Sequence, residues 1–252
     1  MMALISLPPL PSGASLSMQA PGLKMGLGGR LWPSAATMCR WLCNENLSDA
    51  CVLELGCGCG GVGLYSAALG ARHVVLTDGG SDELLQTAAG NAGRNHRLLS
   101  TSIVEVKSHC WGERDFQLPP RLDYVLASDV SYSIESHDAL CRSIRWLLEE
   151  RSPLRVVLAH EHRCLTSNGY AALSGLEGDD ALAHLFESAA AVGLQMTTVC
   201  TESQDEAGTV TAREDGTVVE EAPVGTGTAP LEWTDLLLER GRAVSLLELT
   251  LR

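Results

Sequence analysis

Positive charge is scarce in this chain: 18 Lys and Arg stand against 31 Asp and Glu, a formal net charge of −13. A surface of that sign repels phosphate backbones, which excludes a nucleic-acid partner and favours a basic or neutral protein. Apolar runs are short as well, none approaching the ~20 residues that cross a bilayer before charge or glycine interrupts them. A secretory pattern is missing, because nine cysteines are an odd count without regular spacing. Reduced thiols, and with them a cytoplasmic or nuclear setting, are the expectation. There is no Gly-x-Ser-x-Gly elbow and no Walker lysine, which weakens hydrolase and nucleoside triphosphatase readings. Cys51, Cys57 and Cys59 cluster without a zinc spacing, so no metal is expected.

No acidic residue precedes Glu45, and residues 1–29 are rich in Pro, Gly, Ser, Leu and Met. With Lys24 and Arg30 as the basic residues there and no Ala-x-Ala site, a flexible leader is expected over a transit peptide. Residues 30–252 are then one domain, since this length holds a single α/β core with a few insertions.

Along that domain the hydrophobic period alternates between two and 3.6. Ala35, Met38, Trp41 and Leu42 recur at helical spacing within 34–46, with Ser34 as cap. Strands are expected at 51–55, 73–77, 103–108, 124–128 and 155–160, and helices at 62–69, 82–94 and 137–149. Such βαβ alternation predicts an α/β fold, a mainly parallel sheet with helices on both faces. Beyond it, 181–192 reads as a helix and 195–200 and 243–250 as strands able to pair antiparallel, the latter an edge strand. Residues 201–230, rich in Glu, Asp, Gly and Thr, read as a solvated acidic insertion.

The densest chemistry is Glu54-Leu55-Gly56-Cys57-Gly58-Cys59-Gly60-Gly61-Val62-Gly63, where the first strand meets a helix. Glycine permits positive φ and close approach of backbone amides to a ligand at the positively polarised start of a helix. Gly56, Gly58 and Gly61 also satisfy the dinucleotide fingerprint, with Asp78 at the ribose-binding distance. Glu54 weighs against that reading, because a carboxylate two positions before the first glycine repels pyrophosphate and suits a cation. S-adenosyl-L-methionine carries a sulfonium and an ammonium, and Asp78 suits its ribose hydroxyls. Trp111 is placed to cover an adenine face. His160-Glu161-His162-Arg163 ends a strand near this site, puts two imidazoles on one strand face and could hold substrate or ions, although a solvated strand end is the favoured reading.

With Leu31-Trp32-Pro33-Ser34-Ala35, the glycine loop, Asp78, Asn91 and Asn95, His109-Cys110-Trp111-Gly112 and Ala127-Ser128-Asp129-Val130-Ser131-Tyr132 in view, residues 28–163 resemble the protein methyltransferases of the methyltransferase-like 21 group, methyltransferase family 16. The resemblance implies a Rossmann-like seven-stranded sheet closed by an antiparallel C-terminal strand pair. It also implies a cofactor pocket lined by Trp32, Gly56, Cys57, Gly58, Asp78, Trp111 and Ser128. Asp129 and Tyr132 match the substrate-side Asp-x-x-Tyr signature, and that site lacks the Asn/Asp-Pro-Pro-aromatic form of amide methylation. The implied activity is S-adenosylmethionine-dependent methylation of a lysine on a specific protein, of chaperone or translation-related type, by a monomer. The family's N-terminal strand pair is poorly represented in 1–27. Methylation of arginine or a small molecule, and a catalytically silent module that binds a partner, stay open beside it.

Overall fold

Five short apolar runs lie side by side and parallel, each ending where a loop turns toward the same edge of the sheet. The structure, a computed structural model, describes residues 4–151, 155–166, 169–172, 179–204, 210–214, 217–219 and 243–251. In chain order the elements are β1 (Leu4–Ser6), β2 (Ser17–Gln19), α1 (Pro33–Leu42), β3 (Cys51–Leu55), α2 (Gly61–Ala68), β4 (His73–Asp78), α3 (Asp82–Arg94), β5 (Ile103–Ser108), β6 (Tyr124–Ser128), α4 (His137–Glu150) and β7 (Arg155–Glu161). They continue with β8 (Arg163–Thr166), β9 (Gly169–Ala172), α5 (Asp180–Ala191), β10 (Leu194–Gln204), β11 (Val210–Glu214), β12 (Thr217–Val219) and β13 (Ala243–Leu251).

The parallel strands follow the order β5-β4-β3-β6-β7. Strand β13 then pairs antiparallel with β7, and β10 antiparallel with β13, giving a seven-stranded mixed sheet of Rossmann-like type with an antiparallel C-terminal pair. Successive side chains of a strand point to opposite faces, and both faces are covered over the central strands, which are therefore mainly apolar, whereas the edge strand β5 alternates with Glu105 and Lys107. Val52, Val74, Leu126 and Val157 pack with Met38 and Leu42 of α1 and Leu64 and Tyr65 of α2. Their neighbours Leu53, Val75, Val125 and Leu158 pack with Leu140, Ile144 and Leu147 of α4 and Leu185 of α5.

Three expectations are corrected. The supposed flexible leader forms the β1–β2 strand pair, and Leu7, Leu10, Leu16 and Met18 are buried against α2 and α3. Two side-chain amides one helical turn apart, on α3 and at its C-terminal cap, hold β2: Ser17 N and Gln19 N donate to Asn95 Oδ1 and Asn91 Oδ1, both at 2.8 Å, and the amide nitrogens return bonds to Ser17 O and Gln19 O. Strand β13 is not an edge strand but lies between β7 and β10, its polar Ser245 fully buried among hydrogen bonds from both sides. Within 201–230, β10 runs on to Gln204 and β11 and β12 extend the sheet; 205–209, 215–216 and 220–230 lie outside the described residues. Glu202 is tied inward, accepting from Thr37 Oγ1 at 2.8 Å and pairing with Arg40.

Helix α1 begins one residue before the expected cap, with Pro33 as its first residue, where a missing N–H costs nothing. Among the described residues no helix is long and apolar enough to cross a membrane.

Candidate functional site

The sheet order reverses between β3 and β6, and a crevice at the carboxyl ends of the strands there is where α/β sheets hold ligands. A cavity of about 1070 Å³ opens at that point. Trp32, Glu54, Gly56, Cys57, Gly58, Asp78, Trp111, Ser128, Asp129 and Tyr132, singled out from sequence, all line it.

The glycine loop takes its course because a side chain is not tolerated there. Gly56 and Gly58 sit at φ of 65° and 52°. A Cβ on Gly56 would lie 2.6 Å from Val130 Cγ1 and 3.0 Å from the Trp111 ring, and one on Gly58 would lie 2.6 Å from the carbonyl oxygen of Gly28. That carbonyl belongs to the second of two short 3-10 turns, Gly22–Met25 and Leu27–Gly29, and brings it against the loop. Trp32 Nε1 donates to Leu27 O at 3.1 Å and holds the second turn.

The acids around the loop differ in role. Asp78 ends β4, and its two oxygens accept from Gly58 N at 2.8 Å and Gly80 N at 2.7 Å, clamping loop and strand end together. The following helix α3 is capped by Ser81, whose hydroxyl accepts from Leu84 N. Glu54 is 2% exposed and accepts from Gly63 N at 2.7 Å in the first turn of α2. Burial pushes its carboxyl up to about 8, even though the Gly63 and Val62 amides favour the ionised form. Burial also holds the Cys57 thiol well above its ordinary value, which removes it as a thiolate nucleophile.

At the β6 end Ser128 Oγ donates to Ser34 Oγ at 3.2 Å, joining the strand to α1. Asp129 follows in the left-handed region at φ 56°, uncommon for a residue with a side chain, and its amide donates to Ala159 O at 3.0 Å. Its Oδ2 accepts from Arg163 Nη2 at 2.8 Å. Arg163 also pairs with Glu161, and its guanidinium lies 5.6 Å from the Trp32 ring centre. Burial raises the Asp129 carboxyl, opposed by the Arg163 charge, and burial likewise raises the phenol of half-buried Tyr132. Arg163, which the sequence reading did not assign to the site, stands behind Asp129 rather than in the cavity lining. Its only sequence signal was its place after His160-Glu161-His162, a stretch that is buried rather than solvated.

The family model described as lysine methyltransferase matches residues 12–173. The chain belongs to that lysine methyltransferase family. Among its relatives, the protein-lysine methyltransferase METTL21E of Bos taurus is 34% identical over 142 residues, covering 49% of this chain and 48% of the relative. The histone-arginine methyltransferase METTL23 of Xenopus laevis is 33% identical over 127 residues, covering 48% of this chain and 52% of the relative. The chain thus spans about half the length of the curated relatives it matches. Among solved structures the cyclase SpnF superposes with a TM-score of 0.52 at 16% identity, covering 87% of this chain and 84% of that one, a likeness of fold alone.

Proposed function

We propose that this chain is an S-adenosyl-L-methionine-dependent protein N-methyltransferase whose target is a lysine side chain of a protein partner. The observation that carries the reading is the pairing of Glu54 and Asp78 with a glycine loop at the switch point of the sheet. The Asp78 carboxylate opposes a pyrophosphate and suits a ribose, and Glu54, which keeps its proton in the empty chain up to about pH 8, would ionise beside a bound ammonium or sulfonium. Trp111, packed against Gly56, offers an indole face to the adenine, and Trp32 and Ser128 complete the wall.

Bound there, the cofactor supplies a methyl group on a positively charged sulfur. The chain's part is to orient an amine in line with it and to favour the neutral amine. Asp129 Oδ2 is engaged by Arg163, so the amine's hydrogen bond falls to Oδ1, while the guanidinium beside it disfavours an ammonium and helps it lose its proton. Tyr132 presents its ring or hydroxyl on the same side. The net charge of −13 suits a basic partner, of chaperone or translation-related type, met by a monomer in the cytoplasm or nucleus.

Asp129→Ala is expected to keep S-adenosylhomocysteine affinity within about threefold in calorimetry while transfer from tritiated cofactor falls by roughly 100-fold or more. Retained turnover would remove Asp129 from the mechanism. A second reading, arginine as acceptor, is favoured by the METTL23 relative. Labelling a cell lysate and hydrolysing the labelled band separates the two, since the radioactivity elutes with methyl-lysine or with methyl-arginine. The absence of any labelled band would leave a cofactor-binding module without this activity.

A further inference from the structure

We propose that His160, His162 and Asp179 form a binding site for one zinc-like divalent cation, next to the candidate cavity but outside its lining. The expectation from cysteine spacing was that the chain binds no metal; this site uses no cysteine and does not depend on the methyltransferase reading.

His160 lies in β7 and His162 just past its end, two residues apart, so their rings leave the chain on one face. Asp179 caps the start of α5, with Oδ1 accepting from Leu182 N at 2.8 Å. Its other oxygen, Oδ2, faces His160 Nε2 at 2.8 Å and His162 Nδ1 at 3.0 Å. All three residues are buried, and their donor atoms lie within 4.8 Å of one another.

Two features point past an ordinary hydrogen-bonded cluster. The first is crowding on a single oxygen, since Arg163 N also approaches Asp179 Oδ2, at 3.3 Å. Three nitrogens converge on an atom that accepts two bonds comfortably, and a cation would replace two of them. The second is the surroundings of the rings. His160 Nδ1 is 2.7 Å from Ser131 Oγ and His162 Nε2 is 2.8 Å from Ser245 Oγ, hydroxyls that can accept the ring N–H. Thr201 Oγ1, 2.7 Å from Ser245 Oγ, can take the proton that Ser245 then turns away. Once both ring N–H groups are held on the outer side, the inner nitrogens can turn from donating to Asp179 Oδ2 to giving their lone pairs to a cation bound between them. Outer hydrogen bonds of this kind fix ligating imidazoles at metal centres.

Two imidazoles and one carboxylate suit Zn²⁺ and its first-row neighbours rather than Ca²⁺ or Mg²⁺, which take oxygen ligands. Three protein donors leave a fourth position for water. Bound there, the ion would pin the end of β7 to the start of α5. Through Ser131 it would also brace the segment between Asp129 and Tyr132.

The test uses the full chain, stripped with a chelator and titrated with Zn²⁺ and then Co²⁺. One ion per chain, bound with a dissociation constant of about 1 µM or tighter, is expected, with a higher unfolding midpoint in Zn²⁺. The Co²⁺ spectrum should lack a thiolate charge-transfer band, because the donors are nitrogen and oxygen. His162→Gln should weaken binding by roughly 100-fold, and Ser245→Ala, which leaves every donor in place, by about 10-fold or more. Failure of the folded wild-type chain to bind either ion overturns the proposal. So does a thiolate band, which would assign the ion to cysteines, or wild-type affinity in His162→Gln.

Discussion

At the β3 and β4 end the cavity wall is built on glycine backbone pinned by acidic side chains, whereas at the β6 end the lining Asp129 is backed by charged side chains that lie behind the wall. In the first region glycines bring amides to the surface and Asp78 ties two of them down. In the second, Asp129, Glu161 and Arg163 form a buried ion-paired group beside Trp32. The two constructions fail differently. Backbone walls are lost through added volume and torsional strain, and a buried ion pair through removal of either partner.

Arg163→Met removes the guanidinium from Asp129 and should cost on the order of 3–5 kcal/mol in denaturant unfolding, because a buried carboxylate loses its counter-charge. An unchanged midpoint would make the second region as tolerant as a surface. Gly58→Ala tests the first region: left-handed strain of about 1–2 kcal/mol, added to the clash with Gly28 O, should lower S-adenosylhomocysteine affinity by roughly 30-fold or more in calorimetry.

Glu54 sharpens the contrast through pH. Its folded carboxyl stands near 8 against an ordinary 4.5, so between those values the native state holds a proton that the unfolded chain has released. Stability of the empty chain therefore falls as pH rises through that window, by at most about 1.4 kcal/mol per pH unit from this group. Glu54→Gln should flatten the slope in a pH series of unfolding curves, and an unaltered slope would mean that another group carries it. Trp111→Ala is the mildest change, with a loss of about 1 kcal/mol in S-adenosylhomocysteine binding from the missing ring contact.

Much of the parallel sheet was legible in the sequence because its signals are local. A short apolar run marks Cys51–Leu55, alternation marks Ile103–Ser108, and a helical period marks Asp82–Arg94, each at the bounds the structure has. The glycine loop, Asp78 and the Asp129–Tyr132 segment are likewise contiguous motifs, and a strand carries each to the same edge. What escaped depends on contacts across long separations. Strands β1 and β2 have three residues each, too few for a period; β2 is held by Asn91 and Asn95 more than 70 positions away, and β1 pairs with β2. The alternation in β13 suggested one wet face until β7 and β10 paired on either side of it. His160 and His162 looked solvated because Asp179, which buries them with α5, arrives 17 or more residues later. Arg163 was passed over for a similar reason, since Asp129 lies 34 positions back.

The Gly28 carbonyl rests above Gly58 and also accepts from Cys59 Sγ at 3.3 Å. Roof and floor of the cavity therefore touch directly, with no side chain between them to act as a spacer. Under the proposed function, a spent nucleoside enclosed by both would leave through a movement of residues 22–29, with glycines at 22 and 26, both at positive φ, as its pivots. The lifting of that small flap would then pace repeated turnover.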